Sequence, residues 1–310
     1  MISTCKLMAE IANKDYLEWK MYIENELKVL NNTQLDYDLR GNFLELLKAI
    51  INEIILDKHA FKIEDFNLQY FDEFTLKTNC HENIYNTLYV EINQPNNFKP
   101  QKIINKASKS PKLCFPELYY SLEEFKDDLF TMLVSNLDSN NIMWKDKYSV
   151  CLKTTINIDD KPFDYYFRII PCITYFNENN VRGQMYKKNE GIEIEYVNVA
   201  RKNFEKKNKQ TNDIFRQTIL IFKNLLLREK NIKDLPREII ETMCYNVPNE
   251  MFKDTRQGTL INMINYIRNN SIREFKTLDE QDLAFVSQYK SMSLIYVKHA
   301  TKLIEKQLIK

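Results

Sequence analysis

Glycine, proline and long apolar runs are all scarce in this sequence. Its 310 residues include four glycines and eight prolines beside abundant Lys, Asn, Ile and Tyr, a bias that indicates an AT-rich genome. No run approaches the roughly 18 to 20 apolar residues that a membrane-spanning helix needs, so no membrane partner is expected. The start, Met1 to Lys6, lacks the basic-then-apolar order of a signal peptide.

An excess of charge of either sign is also missing. Lys and Arg number 44 against 43 Asp and Glu, which leaves a net charge of +1. This balance argues against broad, unselective binding of nucleic acid, although a local basic channel stays possible.

Closely spaced metal-binding or disulfide-forming residues are lacking as well. The six cysteines are scattered and form no CxxC pair, and the three histidines are equally dispersed. We therefore expect reduced core thiols in a cytoplasm rather than a disulfide framework, and no structural zinc site.

What the chain does contain is typical of a globular protein. Hydrophobic residues make up 44% of it and charged residues 28%, which excludes a disordered chain. A chain of this length can form one large domain or two lobes, and it is long enough to bury a core.

The first half predicts helices followed by a small sheet. Apolar residues recur at helical spacing over 16–30 and 39–56, so two helices on a common core are expected. The apolar, β-rich run 85–92 predicts a buried strand. Two further strands are expected at 148–158 and 163–173, joined by the turn Asp159-Asp160-Lys161-Pro162.

The rest of the chain predicts a loop and then helices. Segment 93–116 has the composition of a loop or a mobile insertion, and Ser121 with Glu124 forms a capping box that opens the next helix. From Asn203 onward the pattern is helical, with helices predicted at 211–227, 235–245, 259–268 and 278–308. We therefore divide the chain into a core with N-terminal helices, 1–200, and a helical lobe, 201–310.

Three stretches carry a family resemblance. Lys207-Asn208-Lys209-Gln210-Thr211, with the helix 215–225 after it, resembles the KN-x-x-T stretch of the bacterial cyclic-oligonucleotide synthases, the CD-NTases. The segment 236–249, which contains Tyr245-Asn246-Val247-Pro248, is similar to a family segment that ends in Y-N-V-P. Ile169-Ile170-Pro171-Cys172 resembles the end of the family's D-V-V-P-C strand.

The resemblance implies both a fold and a site. The fold is α+β, the two-lobed Pol-β-like nucleotidyltransferase fold, with a small mixed sheet, flanking helices and a C-terminal helical lobe. In the family's site a Gly-Ser turn holds phosphates, and three carboxylates on two strands bind two Mg²⁺ ions. Carboxylate oxygens suit these hard cations, which clamp the attacking and the leaving oxygen.

The sequence departs from that site at every position the alignment identifies. Asp72 and Glu73 stand in place of the Gly-Ser pair and add bulk and negative charge beside the phosphates. Tyr85 and Thr87 replace the two aspartates of the first strand, and Arg168 replaces the third carboxylate. We therefore predict that no metal is bound there and that metal-assisted catalysis is lost.

Three nearby carboxylates could rescue the site. Asp164 shares a strand face with Arg168, and Glu82 and Glu91 flank the two lost aspartate positions. A register shift could recruit them, but a strand that slips by one residue turns its side chains to the other face. We expect Asp164 and Glu91 to be solvated residues at strand ends.

Some residues suited to binding phosphate remain. By resemblance these candidates are Lys207, Asn208, Thr211, Arg216 and Lys223. Lys223 could instead be an exposed lysine beside an apolar stripe. A buried Arg168 could bind phosphate bidentately in place of metal, or it could form a salt bridge to Asp72, Glu73 or Asp164.

Three functions stay open. We favour a catalytically inactive CD-NTase-like protein that binds a nucleotide, an oligonucleotide or a protein partner as a regulatory component, by population shift, in an anti-phage system. No cofactor is expected for it. The first alternative is an active nucleotidyltransferase that makes cyclic or linear oligonucleotides from NTPs with Mg²⁺. The second is a structural or oligomerising protein whose cleft is filled by its own side chains.

Overall fold

The structure is a computed structural model that describes residues 34–58, 66–72, 75–76, 78, 84–92, 122–137, 141–158, 161–188, 191–227, 237–252, 256–281, 283–284 and 302. The chain divides into two compact units. Among the described residues, a sheet unit contains those from 34 to 198 except Thr78, and a helical unit contains Thr78 and those from 199 onward. The division predicted from the sequence lies two residues later, between 200 and 201. The prediction also assigns residues 1–33 to the first domain, and these residues lie outside the described part of the chain.

Seven strands form the sheet of the first unit in the part of the chain described. They are β1 (Phe66–Tyr70), β2 (Ile84–Ile92), β3 (Ile142–Lys145), β4 (Val150–Ile158), β5 (Lys161–Phe176), β6 (Arg182–Lys188) and β7 (Gly191–Glu195). Their order is β1-β2-β5-β4-β3, with β6 pairing β5 and β7. The β2–β5 pair is parallel and the other pairs are antiparallel. The sheet is therefore mixed, as predicted.

Two helices cover one face of this sheet. They are α1 (Gln34–Lys58) and α2 (Leu122–Asn136). Leu47 and Ile50 of α1 and Leu129 of α2 lie on apolar stripes at helical spacing and are at most 2% exposed. Strand residues of alternating position, Phe167 and Ile169 among them, complete the same core. Burial of each such side chain contributes about 1.5–3 kcal/mol, so this core positions the strands that carry the site.

The opposite face of the sheet carries more polar side chains. Alternation along β2 places positions 85, 87, 89 and 91 on this face, and along β5 it places 164, 166, 168 and 170 there. A second, smaller cluster of buried residues, which includes Tyr89, Ile170 and Tyr186, lies on it.

The second unit is helical. Its elements are α3 (Val197–Gln210), which begins two residues before the unit boundary, α4 (Ile214–Leu227), α5 (Arg237–Tyr245), α6 (Arg256–Asn269) and two 3₁₀ turns, Asn249–Met251 and Ile272–Glu274. The rings of Phe204 and Phe215 pack with centroids 4.9 Å apart, and both side chains are fully buried. These aromatic contacts join α3 to α4 at the centre of the unit.

Most predicted elements that fall on described residues are confirmed. These are the helices at 39–56, 211–227, 235–245 and 259–268, the helix after 121, and the strands at 85–92, 148–158 and 163–173, each with shifted ends. The helix predicted from 278 is wrong at its start, where 278–281 form a turn. Strands β1, β3, β6 and β7 were not predicted. The helix at 16–30, the segment 93–116 and Ser121 lie outside the described residues, as does 285–308 except Lys302.

No helix of the described chain is long and apolar enough to cross a membrane.

Candidate functional site

The parallel pairing of β2 and β5 brings the three predicted metal positions together. In the register of these strands Thr87 lies beside Arg168, and Tyr85 lies beside Tyr166. Because side chains alternate between the two faces of a strand, positions 85, 87 and 168 all lie on one face. The register thus brings together three positions that the family resemblance indicated in separate parts of the sequence.

Arg168 is exposed on this face. A phosphate ligand would therefore meet an exposed guanidinium, rather than the buried one considered from the sequence. Its guanidinium carbon lies 5.9 Å from the centre of the Tyr148 ring, at the outer limit of a cation–π contact. The salt bridges considered for it are not formed with Asp72 or Asp164, whose partners are Arg40 and Lys153. Glu73, the third partner considered, lies outside the described residues.

The donors at the three positions do not fit Mg²⁺. A phenol, a hydroxyl and a guanidinium replace three carboxylates, and a guanidinium has no acceptor atom at all. Among the described residues no group of three His, Cys, Asp or Glu side chains could hold a metal ion elsewhere. We therefore derive no chemistry through a metal at these strands.

Asp164 is engaged by its neighbours and distant from the lost carboxylate position. It lies four residues before Arg168 on β5, which is about 13 Å along the strand. Lys153 Nζ lies 2.8 Å from its Oδ2 and the Thr155 hydroxyl donates to its Oδ1 at 2.7 Å. The hydrogen bond from Lys153 is the largest cause that lowers the pKa of Asp164. Its side chain is 27% exposed, so it is partly solvated as expected.

Glu91 is not a solvated residue at a strand end, and that prediction is wrong. Its side chain is fully buried within the sheet. Five donor atoms reach its carboxylate, and they belong to Asn67 of β1, Thr174 of β5, and Arg182 and Gln184 of β6. Buried carboxylates are stable only when they are paired and hydrogen-bonded, and here both conditions are met. Glu91 is therefore committed to structure, and Glu82 lies outside the described residues.

Asp72 is also bound internally. Its Oδ1 accepts hydrogen bonds from the backbone N–H and the hydroxyl of Thr75, at 2.8 and 2.9 Å, and from Arg40 Nη1 at 3.2 Å. Its Oδ2 accepts a hydrogen bond from the backbone N–H of Thr87 at 3.0 Å. The Asp72 side chain, whose bulk and charge were predicted to disturb this turn, instead stabilises the turn through these hydrogen bonds.

Arg40 is the residue at this turn that sequence reasoning missed. It is 7% exposed on α1, it also donates to Asn86 Oδ1 at 2.8 Å, and its guanidinium lies 3.8 Å from the centre of the Tyr70 ring. The sequence pattern of α1 does not indicate that Arg40 is buried, because an arginine in an amphipathic helix is ordinarily solvated. The contact partners lie 30 or more residues away in sequence.

In the helical unit Lys223 forms a buried triad. Its Nζ lies 2.6 Å from Glu241 Oε1 and 3.3 Å from the Thr78 hydroxyl, which itself donates to Glu241 Oε1 at 3.0 Å. The side chains of Lys223 and Glu241 are 4% and 9% exposed. The alternative of an exposed lysine is therefore wrong. In this structure the ammonium is bound to protein groups.

Lys207 lies buried among aromatic rings, and no carboxylate of the described residues forms a salt bridge with it. Its Nζ donates to the Val247 carbonyl at 2.7 Å and to Asn249 Oδ1 at 3.0 Å. Three ring centres lie within 5.2 to 5.7 Å of it, those of Phe252, Tyr245 and Phe215. Burial lowers the pKa of Lys207 to about 8, because desolvation disfavours the charged form more than nearby negative groups favour it.

The remaining candidates build the turn between α3 and α4. Asn208 accepts the backbone N–H of Arg216 at 3.1 Å and donates to Asp213 at 2.7 Å, and Arg216 pairs with Asp213 at 2.7 Å. The Thr211 hydroxyl accepts the backbone N–H of Phe215 at 3.2 Å. Asn208 and Thr211 therefore accept backbone N–H groups at the start of α4, which have no partner within that helix, and Arg216 pairs with the Asp213 that Asn208 also contacts.

The sheet and the helical unit define a class of fold, the Pol-β-like nucleotidyltransferase fold. A solved structure of the c-UMP-AMP synthase CdnE from Rhodothermus marinus, with Apcpp and Upnpp, has a TM-score of 0.68 to this chain. The match covers 91% of this chain and 94% of that one at 18% identity, so it shows the fold alone. The α+β fold expected from the sequence is confirmed.

Sequence comparison then relates the chain to a family. Residues 202–299 match the family model of the cGAS/DncV-like nucleotidyltransferase C-terminal helical domain. Cyclic UMP-AMP synthase of Rhodothermus marinus is 31% identical over 96 residues, which are 30% of this chain and 33% of that protein. Cyclic nucleotide synthase CdnE01 of Staphylococcus haemolyticus is 24% identical over 81% of this chain and 76% of its own length. The chain is thus similar to the CD-NTases, and its helical unit contains their C-terminal helical domain.

Proposed function

We propose that this protein is a CD-NTase that has lost metal-assisted nucleotidyl transfer and acts as a regulatory component that binds a nucleotide. The observation that carries the proposal is the register of β2 and β5, which places the cation of Arg168 beside Thr87. Two Mg²⁺ ions and a guanidinium are all cationic, so they repel one another at the same position. No cofactor is needed for this function, and none is proposed.

A nucleotide is the ligand favoured by the side chains around Arg168. Thr87, Arg168, Cys151 and Trp144 lie in one cross-strand row over β2, β5, β4 and β3. Trp144 is 41% exposed, and two strand spacings separate it from Arg168, about 10 Å between Cα atoms. An indole face can stack on a base while a guanidinium binds phosphate. The nucleotide-binding relatives support the same ligand class.

We propose a regulatory role because ligand binding can change the conformation of a protein without any catalysed reaction. A ligand that fits one conformation of the protein better than another shifts the population toward it. The readout would be a protein partner, which the same conformation recruits. The family's cyclic dinucleotide synthases suggest an anti-phage signalling system as the setting.

An active nucleotidyltransferase is the second candidate function. Its support is the similarity to cyclic nucleotide synthase CdnE01, a relative that matches 81% of this chain. It requires Mg²⁺ and carboxylates other than Glu91 and Asp164, which are engaged elsewhere in the structure. A structural or oligomerising role is the remaining alternative.

Calorimetric titration with the four NTPs and with cyclic dinucleotides, with and without Mg²⁺, tests these functions. We expect binding that does not need Mg²⁺ and that is weakened in Arg168→Ala and in Trp144→Ala. Lys153→Ala is the matched control, because Lys153 is a cation on the same face that is already paired with Asp164.

The other outcomes are equally informative. Mg²⁺-dependent binding followed by pyrophosphate release overturns the proposal and restores the enzyme. No heat in any titration of the folded chain removes the nucleotide from the proposal. Self-association without any nucleotide binding supports the structural alternative.

A further inference from the structure

The carboxylate of Asp72 is held as a bound anion is held. Its two oxygens receive four donors, and these come from α1, from the turn after Asp72 and from β2. Oδ1 accepts three of these hydrogen bonds and Oδ2 accepts one, so both oxygens of the carboxylate are bound by protein donors. The group is 4% exposed, and solvent contributes little to its stabilisation.

A capping role for Asp72 explains only part of this arrangement. A side chain that caps a helical turn accepts the backbone N–H three residues later, which here is that of Thr75. The donors from Arg40 and Thr87 are not part of the turn. They converge on the same carboxylate from other segments, as donors do around a phosphate group.

Arg40 is held in position by contacts that do not involve Asp72. Asn86 Oδ1 accepts its Nη1 at 2.8 Å, and the Tyr70 ring stacks against the guanidinium. Thr87 is equally fixed, because its carbonyl accepts the backbone N–H of Phe71 at 3.0 Å. Removing the Asp72 carboxylate would therefore leave the donors of Arg40 and Thr87 in place.

We propose that Arg40, Thr75 and the backbone N–H of Thr87 form a binding site for a tetrahedral oxyanion, a phosphate group, which the chain keeps filled with the carboxylate of Asp72. External phosphate is excluded while the carboxylate is present. A nucleotide that binds this protein must place its phosphates elsewhere. The inference is independent of the proposed function, because Arg168 contributes nothing to this site.

The test is a gain of binding in Asp72→Ser. Serine keeps an acceptor that can cap the turn, but it removes the charge and most of the bulk. We expect this variant to bind inorganic phosphate and pyrophosphate at least roughly tenfold more tightly than the unaltered chain, because ligand and guanidinium form charge-assisted hydrogen bonds. Phosphate should also raise its Tm relative to chloride at equal ionic strength.

Two further variants make the result specific. Asp164→Ser removes a partly exposed, paired aspartate from the same unit and should gain no phosphate binding. Asp72→Ser combined with Arg40→Met should lose the gain. If Asp72→Ser is too unstable to purify, Asp72→Ala, which also removes the charge and the bulk of the carboxylate, is titrated with phosphate by the same method, and it should bind more tightly than the unaltered chain.

Three outcomes would overturn the inference. One is that folded Asp72→Ser binds phosphate no better than the unaltered chain. Another is that the unaltered chain already binds phosphate as tightly, in which case the carboxylate excludes nothing. The third is a gain that persists in the double variant with Arg40→Met, which would locate the phosphate at another place. Titration of Arg168→Ala in parallel separates this result from that of the proposed function.

Discussion

Lys223 and Glu241 form a buried ion pair, with Nζ 2.6 Å from Oε1, and the Thr78 hydroxyl bonds to both. The pair joins α4 to α5 at the point where each helix is otherwise apolar. Removing one partner of a buried ion pair leaves the other charge uncompensated in the apolar interior, where water does not stabilise it. The relationship makes this lysine a structural residue of the helical unit.

The first prediction concerns that pair. Glu241→Leu should lower the free energy of unfolding by about 3–5 kcal/mol, and Lys223→Met by a similar amount, whereas the double variant should recover most of the loss. Urea unfolding followed by circular dichroism measures all four proteins. A double variant as unstable as the sum of the single ones would show that the two charges do not interact.

The second prediction concerns the pH dependence due to Lys207. Its pKa is about 8 in the folded chain, below the ordinary value of 10.5, so the unfolded chain binds more protons between these values. Stability must then rise with pH through this window, and the cost of the buried charge is full below about pH 8. Relative to Lys207→Met, the unaltered chain should gain about 2–3 kcal/mol from pH 7 to pH 10.

Chemical denaturation at the two pH values checks this prediction. The comparison with Lys207→Met cancels other titrating groups that both proteins share. A difference between the two proteins that is the same at pH 7 and at pH 10 would mean that Lys207 titrates normally in the folded chain.

The third prediction concerns Glu91. Glu91→Gln should cost about 2–4 kcal/mol of stability, because it removes the charge that faces Arg182 and turns one acceptor into a donor. The value lies below that of a fully buried pair since the Arg182 side chain is 40% exposed and water screens it. Asp164→Asn, at a partly exposed pair on the same sheet, should cost less. Equal losses in the two variants would contradict the central role of Glu91.

The fourth prediction concerns Thr211. Its hydroxyl accepts the N–H of Phe215 at the start of α4, so Thr211→Ala should cost about 1 kcal/mol of stability, as the loss of a helix cap does. Nucleotide affinity should not change if the role is structural. A tenfold loss of affinity at unchanged stability would instead return Thr211 to the set of binding residues.

The fold was largely predictable because its elements follow apolar periodicity. The 3.6-residue pattern of Phe43, Leu47, Ile50 and Ile54 specifies α1 without further context. Strands β1, β3 and β7 were missed because they have at most five residues, and β6 because only Met185 and Tyr186 of its residues are apolar. In β3, for example, Ile142 and Trp144 are exposed, which removes the alternation by which a strand is identified.

The candidate site was predictable only where family motifs identify residues on paired strands. The motifs indicated Thr87 and Arg168 as parts of one site, and the two residues do pair between β2 and β5. The exposure of Arg168 and the burial of Glu91 could not, since both depend on which strands flank them. A single acid in an apolar strand, as in Leu88-Tyr89-Val90-Glu91-Ile92, is the signal that could have indicated a buried, paired carboxylate.

The hydrogen bonds of Glu91 have a consequence for the engineering of this protein. One carboxylate ties together β1, β2, β5 and β6, and it does so outside positions 85, 87 and 168. The register that sets the spacing of those positions is thus held by contacts to which they contribute nothing. Carboxylates introduced at 85, 87 and 168 would therefore stand on strands that are already aligned, with the Glu91 contacts left unchanged.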